Sequence, residues 1–229
     1  MFQKFYPDLY IWSTYEIDFD RLYRNGYRGL IFDIDNTLVT HGAPANEKAK
    51  KLFAHLHELG FATCLISNNQ EPRVKPFADA VQSMYIYDAH KPSTKNYEKA
   101  MERMNTDKKN TIFIGDQMFT DVFGANRTGI PSIMVKKIHW KEEIQIILKR
   151  RLEAIVLIGY RRYRKTHKSI FVNWCHISGI FDLIGNYDEF PIKQKHFVQT
   201  MRTRTRRDSC FASMLGAGKK DVLLIILNA

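Results

Sequence analysis

An α/β fold built on a parallel sheet is what the sequence predicts, on three observations. Short apolar runs alternate with stretches of helical periodicity from the N-terminus to about residue 139. The intervals between the runs suit right-handed strand–helix–strand crossovers. Polar residues fall immediately after successive runs, where an open parallel sheet places its ligand crevice.

The elements follow in order. Gly29-Leu30-Ile31-Phe32-Asp33 is a short apolar run ending in an acid. Asn46–Leu59 has apolar residues at helical spacing (Ala49, Leu52, Phe53, Leu56, Leu59), and Gly60 stops it. Phe61–Ile66 reads as a second strand. Glu71–Val81 reads as a helix weakened or kinked by Pro76. Met84–Tyr87 is a short third strand, Ser93–Met104 a helix and Thr111–Ile114 a fourth strand. Phe119–Arg127 is helical and closes at Gly129; Ser132–Val135 is a fifth strand.

The chain has 229 residues, enough for one ordinary domain and an appendage. Its 45% hydrophobic content supports a real core and excludes a disordered protein. A net charge of +11 favours polyanionic partners: phosphorylated substrates, nucleic acid or anionic lipid. Cys64, Cys175 and Cys210 form no closely spaced pair, which argues against a disulfide scaffold or a cysteine-rich zinc site. The N-terminus lacks a secretory pattern, and no apolar run is long enough to span a bilayer. The expectation is a soluble, cytoplasmic protein, with peripheral attachment to a membrane surface left open.

The chemistry concentrates at Asp33-Ile34-Asp35-Asn36-Thr37, directly after the first predicted strand. Phosphoryl transfer to a carboxylate needs one acid to attack phosphorus and a second to protonate the leaving oxygen and then activate water. Two anions repel a phosphate unless cations and N–H groups offset the charge. Asp116 can join Asp33 in holding Mg2+ through hard oxygen ligands. Lys91 supplies a fixed positive charge; Ser67 and the N–H groups after it can bind phosphate oxygens. Asp121 is placed to orient Lys91 or a metal-bound water. Any one of these would read as ordinary loop chemistry; four in chain order at one sheet edge would not.

Asp33-Ile34-Asp35-Asn36-Thr37, Ser67-Asn68-Asn69, Lys91-Pro92 and Gly115-Asp116-Gln117-Met118-Phe119-Thr120-Asp121 resemble the haloacid dehalogenase (HAD) superfamily of aspartyl phosphatases. The YqeG-like group of subclass IIIA is the nearest in pattern, and Phe5-Tyr6-Pro7-Asp8 and Asp121–Arg127 also look like that group. The resemblance covers roughly Met1 to Arg164. It implies a HAD-like Rossmannoid three-layer fold with Mg2+ as cofactor. It also implies Asp33 as nucleophile, Asp35 as acid/base, Ser67, Asn68 and Lys91 as phosphate binders, and Thr37 and Asp121 in support. Asp33 and Asp116 would hold the metal, joined by Asp35 through its backbone carbonyl.

Neither Thr37–Ser67 nor Ser67–Lys91 has room for an inserted cap domain, so a capless core is expected at 1–139. An open site suits a large phosphorylated substrate. Residues 140–167 form a basic amphipathic stretch in which Ile144, Ile147, Leu148, Leu152, Ile155 and Ile158 could share a helical face. This stretch either docks on anionic membrane or packs on the core. Phosphatidylglycerophosphate phosphatases resemble the same group, which suggests a lipid substrate. No trusted pattern extends through 168–229. The arginines at Met201–Arg207 lack an aromatic platform, so nucleic acid is not the favoured partner. The competing reading is a basic binding protein on a HAD fold that docks nucleic acid, ribosome or an acidic partner. The substrate and the oligomeric state are not legible.

Overall fold

The computed structural model describes residues 3–138, 152–160 and 162–163. Strands β1 (Leu9–Ile11), β2 (Gly29–Phe32), β3 (Ala62–Ile66), β4 (Met84–Ile86), β5 (Thr111–Gly115) and β6 (Ser132–Val135) form one sheet. Their order is β1-β6-β5-β2-β3-β4, with every pair parallel. The helices are α1 (Phe19–Arg24), α2 (Glu47–Leu59), α3 (Glu71–Val81), α4 (Lys95–Met104) and α5 (Phe123–Thr128), with a π-turn at Met118–Val122. Residues 152–160 form a further helix, α6.

The central strands are continuous apolar runs because both sheet faces are covered. Side chains alternate between the faces. Ile31 joins Cys64, Ile66 and Phe113 under Tyr97, Ala100, Met101 and Met104 of α4. Phe32 points the other way, against Phe19 of α1 and Phe53 of α2. The result is three layers, as the fold class required.

The helix ends follow local chemistry. Asn46 caps α2 by accepting the Ala49 N–H at 2.8 Å. Gly60 closes it at φ 93°, a left-handed position that a side chain would strain. Pro76 lies inside α3, which nevertheless runs from Glu71 to Val81. The loop from β2 to β3 holds α2, and that from β3 to β4 holds α3; neither contains an additional domain.

The N-terminal segment adds β1, a sixth strand on the β6 edge, where five strands were expected. The predicted helix Phe119–Arg127 is instead the π-turn followed by α5. Asp121 N donates to Gln117 O at 2.9 Å and Val122 N donates to the same oxygen at 3.2 Å. That shared acceptor is the mark of the wider turn.

In α6, Glu153, Val156 and Tyr160 are buried. Leu152, Ile155 and Ile158 are 52%, 56% and 54% exposed. The expected apolar face is therefore the outward one over these residues. The packed face is set by Val156, which joins Met118, Val122 and Met134 beneath Phe5, Tyr6 and Leu157. The rest of the 140–167 stretch and all of 168–229 lie outside the described residues. Among the described residues, no helix is long and apolar enough to cross a membrane.

Candidate active site

The site forms where β2, β3 and β5 end side by side and the loop after β4 approaches them. Asp33 still belongs to the ladder, its N–H donating to Ile114 O at 2.9 Å. The chain then turns sharply: Leu38 N donates to Ile34 O (2.9 Å), and Asn36 adopts φ 63°, a conformation asparagine tolerates. The N-terminal segment braces this turn. Thr14 Oγ1 donates to Thr37 O at 2.8 Å, and Tyr15 Oη to Leu38 O at 2.6 Å. The turn separates Asp33 from Asp35 and gives them different surroundings.

Lys91 lies between two carboxylates. Its Nζ is 2.6 Å from Asp33 Oδ1 and 2.7 Å from Asp121 Oδ1. Asp33 is 6% exposed and Asp121 is fully buried. Burial pushes the Asp33 carboxyl up to about 6; Lys91 opposes that shift and Asp121 adds to it. Burial disfavours the Lys91 ammonium, but Asp121 and Asp33 outweigh it and raise its pKa above the usual lysine value. Asp121 is held in turn: its Oδ2 accepts the Gln117 N–H at 3.0 Å. Tyr97 Oη donates to the carbonyls of Thr120 and Asp121 at 3.1 and 3.3 Å.

Asp33, Asp116 and Asp121 offer carboxylate oxygens that all lie within 4.8 Å of one another. Thr37 Oγ1 reaches both Asp33 Oδ2 and Asp116 Oδ1 at 3.4 Å. Ionised, the three acids carry three negative charges, and Lys91 offsets one of them. A divalent cation with a preference for hard oxygens fits the remainder. Asp121 thus stands with the metal candidates as well as beside Lys91, a closer approach than its supporting role implied.

Asp35 belongs to a separate network. Its Oδ1 accepts from Gly42 N (2.7 Å) and Arg73 Nη2 (2.9 Å), and its Oδ2 from Asn69 Nδ2 (2.7 Å). His41 Nδ1 lies 3.9 Å away. Its carboxylate is not in the acidic trio.

Ser67 is buried, and its Oγ accepts the Asn69 N–H at 3.1 Å. The Asn68 side chain engages the main chain of Lys91 at both N–H and carbonyl. All the predicted site residues therefore lie at one edge of the sheet.

Arg73 and Glu153 were not found from sequence. Arg73 had one signal: a cation in the first turn of α3 opposes the helix dipole, so an acidic neighbour is to be expected. Glu153 accepts the Met118 N–H at 2.8 Å, and only its position as an acid within a basic stretch marked it.

Comparison with known proteins gives a consistent picture. The Hydrolase_like family model, described as HAD-hyrolase-like, matches residues 89–143. The chain is 33% identical over 164 residues to "Probable phosphatase YqeG" of Bacillus subtilis (strain 168), covering 71% of this chain and 95% of that protein. It is 24% identical over 157 residues to "Phosphatidylglycerophosphate phosphatase 1, chloroplastic/mitochondrial" of Arabidopsis thaliana, covering 64% of this chain but only 45% of that protein. A crystal structure of an uncharacterized protein from Listeria monocytogenes serotype 4b aligns at 17% identity and TM-score 0.42, over 51% of this chain and 84% of that one.

Proposed function

Because the chain belongs to the YqeG-like family of HAD-type phosphatases, we propose that it hydrolyses a phosphate monoester through a covalent aspartyl phosphate on Asp33, with Mg2+ as cofactor. The supporting observation is the meeting of Asp33, Asp116 and Asp121 at the carboxyl edge of the sheet, with Lys91 between Asp33 and Asp121. Asp33 and Asp116 would hold the cation, with the Asp35 carbonyl and the nearby Asp121 carboxylate as the further candidate donors. When bound, the cation would neutralise charge on the phosphoryl group and help to keep Asp33 ionised.

In the first step, an oxygen of Asp33 bonds to phosphorus as the bond to the leaving oxygen breaks. Protonated Asp35 gives its proton to that oxygen. Lys91, Ser67 and the N–H groups that follow Ser67 offset charge on the phosphoryl oxygens. Water then attacks the phosphorus of the intermediate. Asp35 takes the water proton, and the bond from phosphorus to Asp33 breaks to release inorganic phosphate.

We read residues 1–139 as a capless catalytic core and 140–167 as an accessory helix. The open core suits a large substrate. Phosphatidylglycerophosphate is the reading we favour, at a peripheral membrane site. Its support is the name of the Arabidopsis relative, the net charge of +11 and the outward Leu152, Ile155 and Ile158 beside exposed Arg162.

The test is phosphate release from an aryl phosphate and from phosphatidylglycerophosphate, each with and without Mg2+, by wild type and Asp33→Asn. Magnesium-dependent release by wild type and none by the variant is the expected result. Full release by Asp33→Asn would overturn the covalent mechanism. Release from the aryl phosphate alone would remove the lipid.

A further inference from the structure

Glu153 is 4% exposed in a stretch otherwise rich in cations. A carboxylate removed from water is costly unless something specific holds it. Here Glu153 Oε1 accepts the Met118 N–H at 2.8 Å, from a residue 35 positions away.

The location of Met118 gives this contact its meaning. Met118 lies two residues after Asp116 and three before Asp121, at the first position of the π-turn. The opening N–H groups of such a turn lack partners within it. Gln117 N donates to Asp121 Oδ2 at 3.0 Å, and Met118 N, next in the chain, donates to Glu153. Two successive amides between Asp116 and Asp121 are thus held by carboxylates, one local and one delivered by α6.

Packing fixes where α6 delivers it. Val156 packs with Met118 and Val122 of the same turn. The Tyr6 ring lies 5.4 Å from each of the Tyr160 and Tyr163 rings. Gly159 permits the approach, since a Cβ there would come within 2.9 Å of Tyr6 Oη. The depth and rotation of α6 are therefore set against the turn that carries Asp121 and directly follows Asp116.

We propose that Glu153 is a positioning residue of the phosphatase: by holding Met118 N–H, it sets Asp116 and Asp121 in register with Asp33 and Lys91. This rests on the acidic cluster being the metal and phosphoryl site. The helix beyond the core is then part of the working enzyme. Residues that orient first ligands commonly govern metal affinity by 10–100-fold.

The experiment uses the full chain. Metal binding is measured directly, by Mn2+ electron paramagnetic resonance and by the rise in melting temperature on adding Mg2+, beside turnover of an aryl phosphate. Glu153→Ala should weaken metal binding about tenfold or more and lower kcat with little change in KM. Glu153→Gln keeps the acceptor oxygen and should stay within about threefold of wild type. Val156→Ala thins the packing that seats the same helix but keeps the carboxylate; it should lower the melting temperature and weaken metal binding by much less than Glu153→Ala does. If Glu153→Ala does not fold, Glu153→Asp decides, because its shorter side chain withdraws the carboxylate from Met118. Wild-type metal affinity in the Ala or Asp variant overturns the proposal, as does a Gln variant as impaired as Ala. A wild type that neither binds metal nor releases phosphate instead overturns the phosphatase reading beneath it.

Discussion

Asn68 holds Lys91 by its main chain: Asn68 Oδ1 accepts the Lys91 N–H at 2.7 Å, and Asn68 Nδ2 donates to Lys91 O at 3.3 Å. The loop after β3 thereby places the loop after β4, and the ammonium reaches Asp33 and Asp121 from a fixed start. Asn68→Ala releases both bonds at an exposed position. Stability should fall by only about 1 kcal/mol. Turnover should fall about tenfold or more, because a small displacement of a charge-stabilising group is costly. Steady-state kinetics paired with a melting curve checks this. A drop in melting temperature without a drop in kcat would reduce Asn68 to a structural brace.

Arg73 invites a test based on the leaving group. Its Nη2 is 2.9 Å from Asp35 Oδ1, with both side chains largely buried. If Arg73 orients the acid/base, Arg73→Ala should impair proton delivery most where the leaving oxygen needs a proton most. Hydrolysis of an alkyl phosphate should fall about tenfold more than that of a nitrophenyl phosphate, whose leaving group departs as an anion. Equal losses on the two substrates would mean that Arg73 does not act through Asp35.

The sequence made the middle of the sheet legible and its margins illegible, for reasons particular residues show. Gly29–Phe32 and Ser132–Val135 are buried at every position, so their apolar runs stand out. Leu9-Tyr10-Ile11 is short, buries only Leu9 well and gains its identity from pairing with β6. The six-residue α1 is too short to announce itself without tertiary packing. At the site, Asp33, Ser67, Lys91 and Asp116 were legible because each follows a strand. The partners of Asp35 were not, since Gly42, Asn69 and Arg73 meet it only after folding. Asp121 was expected beside Lys91 or a metal-bound water; that its carboxylate stands within the acidic trio itself depends on the π-turn, which has no simple sequence pattern. The chain around α6 carries two apolar stripes, and Tyr6 and Met118 decide which one packs.

Asp8 makes stability depend on pH. Its Oδ2 accepts the Ser132 N–H at 2.7 Å, and its own N–H donates to Ser132 O at 3.1 Å, joining β1 to β6. Burial nevertheless pushes its carboxyl up to about 6, against a lowering by Ser132. The folded state then binds this proton more tightly than the unfolded chain does. The Asp8 contribution is most favourable below pH 4 and is lost as pH rises through 6. Asp8→Asn keeps an acceptor for Ser132 and does not ionise. Its melting temperature relative to wild type should rise between pH 4 and pH 7, by at most about 3 kcal/mol of stability, since each pKa unit is worth ~1.4 kcal/mol. A difference that stays flat across that range would mean Asp8 titrates normally in the fold.

The two faces of α6 should separate stability from surface attachment. Val156 and Tyr160 face the core, whereas Leu152, Ile155 and Ile158 are more than half exposed beside Arg162. Val156→Ala removes two buried methyl groups and should cost about 1–3 kcal/mol, with little change in binding to anionic vesicles. Changing Leu152, Ile155 and Ile158 together to Gln removes no core contact, so melting temperature and aryl-phosphate turnover should stay near wild type. On vesicles rich in anionic lipid, that triple variant should lose most of its binding, because aliphatic insertion and cationic attraction act together at an interface. Wild-type binding should weaken as salt rises, since exposed charges are screened. Sedimentation with such vesicles at low and high salt, beside the melting curves, reads both faces at once. If the triple variant melts lower and binds as before, the outward stripe is covered by protein, and the membrane reading of this helix falls.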